Sequence, residues 1–199
     1  RRFLTRMGYD AHSWNLGRNL GPKAIGHEGE RLIARLDEVH AATGRTVSLV
    51  GWSLGGMMAR QLARRRPDLV RQIITLGSPI VGDPRSTNAW RAYQRFTGHK
   101  IGDPGTQAQL RESHLPPPVP STAIFTKEDG VVAWQNCIEP EDALTDNIQV
   151  HGSHCGLGVN PVVLYAVADR LAQEEGTWKP FERTGALRQL VYPSSGHSH

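Results

Sequence analysis

The chain has 199 residues, of which 38% are hydrophobic and 21% charged, and its formal net charge is +4 at pH 7. This composition excludes a disordered chain, and the length favours one domain over residues 1–182 with a C-terminal tail over residues 183–199. No apolar run approaches the roughly 18 residues of a membrane-spanning helix, which argues against stable membrane insertion. The basic residues are scattered apart from the run at residues 64–66, which we interpret as complementing a helix end. No nucleic-acid-binding motif is present, so we expect no nucleic-acid partner.

Predicted helices and strands alternate along the first part of the chain. The predicted helices cover residues 1–8, 27–42 and 57–66, and the predicted strands cover residues 8–14, 47–52 and 70–76. The helix over residues 27–42 is indicated by apolar side chains at helical spacing and by Gly44 at its end. This alternation predicts a parallel sheet with right-handed crossovers.

A Gly-x-Ser-x-Gly motif occupies residues 51–55, between a β-branched strand and a helix. A sharp strand-to-helix turn of this kind lifts the Ser53 hydroxyl above the sheet. We expect glycine at Gly51 and Gly55 because a Cβ there would collide with the neighbouring strand or helix. The Leu54 N–H begins the helix and would point at a developing oxyanion.

The regular alternation breaks after the strand over residues 70–76. The segment over residues 80–118 ends in three prolines and is long for a connection, so we predict a small lid with a helix over residues 87–96. Its aromatic side chains face the acyl chain of a substrate or, alternatively, pin the lid to the core. They are Trp90, Tyr93 and Phe96.

Two later strands each run into a turn that carries ionisable side chains. One turn contains Glu128 and Asp129, and the other contains His151 and His154. Turns that follow parallel strands meet at the edge of the sheet where ligands bind. A serine nucleophile needs a base and a group that orients the base, and these turns offer two candidates for each role. The strands cover residues 119–126 and 147–150, and a helix is predicted over residues 160–173.

Taken together, these motifs resemble the lipase and esterase branch of the α/β-hydrolases. The segments that carry the resemblance are residues 51–56, 126–132, and 153–157 with the Asn-Pro pair at 160–161. The resemblance implies an α/β-hydrolase fold, with a mostly parallel sheet flanked by helices. Its Asp-Gly-Val-Val and Ser-His-x-Gly-Leu segments imply Ser53 as nucleophile, Asp129 as orienting acid and His154 as general base.

The chain departs from these relatives in two places. Trp52 stands beside the nucleophile where lipases often carry His or Tyr, and we assign it as a candidate substrate-binding residue whose indole N–H bonds a neighbouring loop. Relatives also begin with a strand and a loop that supplies a second oxyanion N–H. That segment is not among these residues, so we expect the sequence to be an N-terminally truncated piece.

The two cysteines lie next to both proposed catalytic turns. Cys137 follows the acid turn and Cys155 follows His154 directly, so we favour a disulfide that ties the two turns together. The alternative is two free thiols. The remaining histidines show no ligand spacing, so no metal is predicted.

Three functions are compatible with these residues. The first is a carboxylic ester hydrolase that acts on an apolar small-molecule or lipid ester through an acyl-enzyme and needs no cofactor. The second is an acyltransferase with the same triad, and the third is a non-catalytic binding protein on a hydrolase scaffold. The sequence leaves the compartment, cytoplasmic or exported, and the oligomeric state open.

Overall fold

The structure, a computed structural model, describes residues 1–17, 22–26, 29–80 and 115–193. Residues 81–114, which make up most of the predicted lid, lie outside the described residues. The candidate substrate-facing side chains of the lid therefore lie outside them as well. They are Trp90, Tyr93 and Phe96.

Helices and strands alternate from residue 30 to residue 76, as the sequence predicts. The helices are α1 (Arg2–Arg6), α2 (Pro22–Ile25), α3 (Glu30–Thr43), α4 (Leu54–Arg65), α5 (Pro161–Ala172) and α6 (Ala186–Val191). The strands are β1 (Val47–Trp52), β2 (Val70–Leu76), β3 (Ser121–Phe125) and β4 (Thr145–Gln149). None of the described helices is long and apolar enough to cross a membrane.

The four strands form one parallel sheet in the order β1-β2-β3-β4. Val50 pairs with Ile74 across the first ladder, and Ile124 pairs with Ile148 across the last. Because all four strands point the same way, the turns that follow them gather at one edge of the sheet. The elbow after β1 and the turns after β3 and β4 therefore share that edge.

Helices cover both faces of the sheet. The neighbouring residues Ile73 and Ile74 are both fully buried, and they point to opposite faces because side chains alternate along a strand. Ile73 packs in a cluster with side chains of α3 and α4, whereas Ile74 packs with side chains of α5. Full burial of one such side chain contributes about 1.5–3 kcal/mol. The predicted parallel sheet flanked by helices is confirmed.

The predicted strand over residues 8–14 is wrong. The segment pairs with no strand in the described part of the chain, and side-chain hydrogen bonds to helices hold it instead. The Tyr9 hydroxyl lies 3.5 Å from the Ala168 carbonyl oxygen of α5, and the Arg35 guanidinium of α3 donates to the Ser13 carbonyl at 3.0 Å. Because no neighbouring strand in the described part of the chain forms backbone hydrogen bonds with this segment, it is not a β-strand.

The predicted C-terminal tail contains the short helix α6. The residue after this helix, Tyr192, is buried and packs edge-on against Phe181 at 4.7 Å between ring centroids. Its hydroxyl donates to the Val162 carbonyl at 2.9 Å. Burial raises the pKa of Tyr192 to about 12. The tail therefore contributes to the core beside α5.

The basic run at the end of α4 is engaged with neighbouring groups. Arg66 pairs with Asp37 and with Asp68, and these hydrogen bonds raise the pKa of its guanidinium. Arg64 donates to the Leu115 carbonyl oxygen. These contacts fit the interpretation of the run as a helix-end feature rather than a patch for a nucleic acid.

Candidate active site

Ser53 occupies a strained turn between β1 and α4. Its φ of 52° and ψ of −123° lie in a region that non-glycine residues rarely adopt. Backbone hydrogen bonds hold it there: the Ser53 N–H donates to the Leu76 carbonyl at 2.9 Å, and the Gly56 N–H donates to the Ser53 carbonyl at 3.0 Å. Strain of this kind costs about 1–3 kcal/mol and is concentrated at functional sites. Leu54 is the first helical residue, so its N–H has no acceptor within the helix.

The turn depends on two glycines, of which the sequence motif predicts one. A Cβ on Gly51 would lie 2.5 Å from the carbonyl carbon and oxygen of Gly55. A Cβ on Gly55 would meet nothing within 4 Å, so the expectation of a collision there is wrong. The crowded position is Gly56, where a Cβ would lie 2.7 Å from the Ser78 Cβ. The helix therefore approaches the sheet through Gly51 and Gly56.

This difference gives a matched pair of substitutions. Gly51→Ala forces a methyl group against the backbone of α4, and we expect a loss of about 1–3 kcal/mol in the free energy of unfolding. Gly55→Ala places its methyl group in open space within a helix, where alanine is favoured over glycine by about 1 kcal/mol. Urea denaturation of both variants measures the difference. Equal destabilisation by the two substitutions would contradict the packing described here.

Asp129 and His154 form a buried ionisable pair. The Asp129 Oδ2 lies 2.6 Å from the His154 Nδ1, and their side chains are only 1% and 6% exposed. The other carboxylate oxygen, Oδ1, accepts the N–H groups of Val131 and Val132, each at 2.8 Å. A carboxylate held in this way favours the imidazole tautomer with its proton on Nδ1, which leaves Nε2 as the proton acceptor. A general base requires this tautomer.

Glu128 and His151 form a second, exposed pair beside the first. The Glu128 Oε1 lies 2.8 Å from the His151 Nδ1, and the Gly152 N–H donates to Oε2 at 3.1 Å. Both side chains are more than half exposed, so solvent screens their interaction. The hydrogen bond from His151, followed by that from Gly152, lowers the pKa of Glu128. Thus each acid has one histidine partner, and the two pairs differ mainly in burial.

The exposed pair predicts an acid-sensitive contribution to stability. Because the folded-state pKa of Glu128 is below its ordinary 4.5, the contribution is complete above that value and is lost as the pH falls through the lowered pKa. We therefore expect Glu128→Gln to reduce the difference in the free energy of unfolding between about pH 6 and about pH 4. Urea denaturation at the two pH values measures it. An unchanged difference would contradict the role of the pair.

The elbow and the buried pair meet around Gly77, at the end of β2. Gly77 has a φ of 54°, and a Cβ on it would lie 3.1 Å from the Asp129 Oδ2 and 3.2 Å from the His154 Nδ1. The preceding residue, Leu76, accepts the hydrogen bond from the Ser53 N–H. Sequence reasoning missed Gly77. The signal that could have identified it is a glycine that directly follows a buried strand, because such a residue lies at the sheet edge where the turns after β1, β3 and β4 gather.

Trp52 connects the elbow to the turn that carries His154. Its indole Nε1 donates to the His154 carbonyl at 3.1 Å, and the two ring centroids lie 5.5 Å apart. The predicted hydrogen bond to a neighbouring loop is therefore present. The Trp52 side chain is also 46% exposed, and its assignment to substrate binding stays a prediction.

The predicted disulfide is wrong, because both cysteines are free thiols. Cys137 lies in the 3₁₀ helix Trp134–Cys137 and packs inward in a cluster with Phe125 and Val132, whereas Cys155 is exposed. Burial, and then the nearby Asp129, raises the pKa of the Cys137 thiol, which favours its protonated form. Each cysteine lies close in sequence to one of the two turns, but this does not bring the two thiols together.

A buried ion pair lies near the start of β3 and was not predicted. Arg60 of α4 pairs with Glu139, and their side chains are 2% and 0% exposed. The Ser121 hydroxyl donates to the Glu139 Oε1 at 2.6 Å, and the Arg60 guanidinium donates to the Leu115 carbonyl at 3.0 Å. Burial, and then the nearby Arg64, lowers the pKa of Arg60 to about 9. The pair ties the nucleophile helix to the segment that follows the acid turn.

In the ranges that the structure describes, no group of three or more His, Cys, Asp or Glu side chains could hold a metal ion. The expectation of a reaction without metal or cofactor stays a prediction.

The chain is similar in sequence to known α/β-hydrolases. Residues 30–116 match the sequence family described as the alpha/beta hydrolase fold. A stretch of 55 residues, 27% of this chain, is 46% identical to a triacylglycerol lipase of Pseudarthrobacter phenanthrenivorans. That stretch is 17% of the length of the lipase, so the chain matches only a small part of this relative.

Solved structures extend the similarity over most of the chain. A novel pyrethroid hydrolase, PytH, superposes with a TM-score of 0.55 and 18% identity over 85% of this chain and 89% of its own. A putative non-heme bromoperoxidase, BpoC, of Mycobacterium tuberculosis superposes with a TM-score of 0.53 and 16% identity over 79% of each chain. The chain has the α/β-hydrolase fold, and the resemblance inferred from its motifs is confirmed. Because proteins with such different names share the fold, the fold alone does not identify the reaction.

Proposed function

We propose that this protein is a serine carboxylic ester hydrolase that cleaves an apolar acyl ester through an acyl-enzyme. The observation that carries the proposal is the buried Asp129–His154 pair, at the same sheet edge as the strained elbow of Ser53. A serine on such a turn, a histidine and a buried carboxylate that orients it are the parts that this chemistry needs.

In the proposed first step, His154 Nε2 accepts the proton of the Ser53 hydroxyl as its oxygen attacks the ester carbonyl. Asp129 holds the imidazole in the tautomer with a proton on Nδ1 and stabilises the imidazolium that forms. The hydrogen bonds from Val131 and Val132 keep that carboxylate in place. The alcohol then leaves with the proton from His154, and the acyl group remains on Ser53.

The tetrahedral intermediate carries a negative charge on the former carbonyl oxygen. The Leu54 N–H, at the start of α4, is the proposed donor to this oxyanion. In this fold a donor of this kind acts together with an N–H from a separate loop. Removal of one donor typically costs about 10²–10³ in rate.

In the second half of the cycle, His154 activates a water molecule that attacks the acyl-enzyme. If an alcohol took the place of water, the same residues would catalyse acyl transfer. We propose hydrolysis because a matched relative is named a lipase and one protein of similar fold is named a hydrolase. The proposed substrate is an ester with an apolar acyl group, bound at the exposed face of Trp52 and by the lid residues Trp90, Tyr93 and Phe96.

The test is hydrolysis of p-nitrophenyl esters of increasing acyl length, with products identified in the presence and absence of added methanol. We expect free carboxylic acid as the main product, and a loss of about 10⁶ in kcat for Ser53→Ala. Ser13→Ala is the matched control, since its hydroxyl donates to the nearby Asn15 Oδ1 at 2.9 Å, in the segment that follows α1. Methyl ester as the main product would support acyl transfer instead. Full activity of Ser53→Ala would overturn the proposal.

A further inference from the structure

Trp52 is the neighbour of Ser53, the proposed nucleophile, in the chain, and it forms a hydrogen bond with His154, the proposed base. It is the last residue of β1 and immediately precedes Ser53. Its indole N–H donates to the backbone carbonyl of His154, 102 residues further along the chain, at 3.1 Å. The His154 side chain is held separately, by Asp129 at 2.6 Å. His154 is thus fixed at its main chain from the elbow and at its ring from the acid turn.

The hydrogen bond to His154 depends on the indole N–H, which is the donor group of the Trp52 side chain. The Trp52 ring is 46% exposed, so apolar packing fixes it less firmly than it would a core side chain. Its ring centroid lies 5.5 Å from that of His154 at an angle of 40°, so both polar and ring contacts join the same two residues. A phenylalanine at this position would retain an aromatic ring and lose the donor.

We propose that Trp52 is a positioning residue for the base, in addition to any contact that it makes with substrate. In this proposal, the indole hydrogen bond sets the distance between the backbone of His154 and that of Ser53, on which proton transfer from the serine hydroxyl to Nε2 depends. This inference rests on the proposed function, because it assigns Trp52 a role in the reaction of Ser53 with His154. Proton transfer depends strongly on geometry, and a displacement of about 1 Å can cost about 10²-fold in rate.

The test is the rate at which a fluorophosphonate probe labels Ser53 in the unmodified protein and in Trp52→Phe. We expect the labelling rate and kcat to fall about 10-fold. This loss is larger than the effect of one weak neutral hydrogen bond and smaller than the effect of a full displacement of the base. We expect KM for short acyl esters to stay within about twofold, because the aromatic ring remains. Trp14→Phe is the matched control, since its indole Nε1 donates to a backbone carbonyl, that of Gly17, at 3.0 Å. This control should label at the unmodified rate.

Two outcomes overturn the inference. One is an unchanged labelling rate in Trp52→Phe, and the other is a loss of activity that lies entirely in KM and grows with acyl length, which would make Trp52 a substrate contact alone. If the unmodified protein itself is not labelled at Ser53, the proposed function fails instead. The two failures are therefore distinguishable.

A second measurement needs no variant and covers the case in which Trp52→Phe does not fold. Hydrogen exchange of the assigned Trp52 indole N–H, followed by NMR on the unmodified protein, reports the contact directly. We expect this N–H to exchange more slowly than an indole of the same exposure without a partner. Exchange at the unprotected rate would overturn the inference.

Discussion

Asp129→Asn is expected to lower kcat for ester hydrolysis by about 10⁴ while the protein remains folded. The amide can donate to His154 Nδ1, which would favour the wrong imidazole tautomer and place the proton on Nε2, where Ser53 needs an acceptor. The side chain is isosteric, and its Oδ1 can still accept the N–H groups of Val131 and Val132. Steady-state kinetics and the rate of fluorophosphonate labelling measure the loss, and thermal denaturation checks the fold.

Glu128→Gln is the matched comparison for this prediction. Glu128 is the neighbouring acid and also has a histidine partner, His151, but that pair is exposed. We expect its substitution to change kcat less than about tenfold, because solvent screens the exposed pair. A larger loss for Glu128→Gln than for Asp129→Asn would show that Glu128, and not Asp129, orients the base.

Glu139→Gln is expected to lower the free energy of unfolding by about 3–5 kcal/mol. The substitution removes the Glu139 carboxylate that pairs with the buried Arg60 guanidinium, and burial already lowers the pKa of this group to about 9. Leu115 and Ser121 would keep their hydrogen-bonding groups near the site but cannot neutralise the charge. Urea denaturation at neutral pH measures the change.

The control for this prediction is Glu38→Gln. Glu38 pairs with Arg35 along α3, but its side chain is 68% exposed. Solvent at the exposed Glu38 carboxylate screens the pair, and screened pairs contribute about 0–1 kcal/mol, so this substitution should be nearly neutral. A small loss for Glu139→Gln, comparable with that for Glu38→Gln, would show that the buried pair contributes little net stability.

Local sequence signals predicted the elements that position the site. The Gly-x-Ser-x-Gly motif between a β-branched strand and a helix predicted the strained conformation of Ser53, because the chemistry of the turn lies within a few residues. Strand β2 was predicted with the bounds observed, since its apolar run is buried on both faces. The choice of Asp129 and His154 over their neighbours came from the family resemblance rather than from periodicity. Their catalytic roles remain proposals.

The features that were missed depend on contacts between distant residues. The segment over residues 8–14 is predicted as a strand, but strand formation needs a neighbouring ladder that the sequence does not specify. The pairing of Arg60 with Glu139 joins positions 79 residues apart and gives no local pattern. The two cysteines illustrate the opposite error, in which a predicted contact is absent. Their positions close in sequence to the two turns suggested a disulfide, but Cys137 packs in the core and both thiols are free.

The central claim is that Ser53 is an activated nucleophile, and the most direct test is covalent labelling. The protein is treated with a fluorophosphonate probe, digested, and mapped by mass spectrometry, with Ser53→Ala and a denatured sample as controls. We predict one adduct, on the peptide that contains Ser53, absent from both controls and formed much more slowly in Asp129→Asn. A folded protein that forms no adduct at Ser53 would contradict the account and favour a binding protein on a hydrolase scaffold.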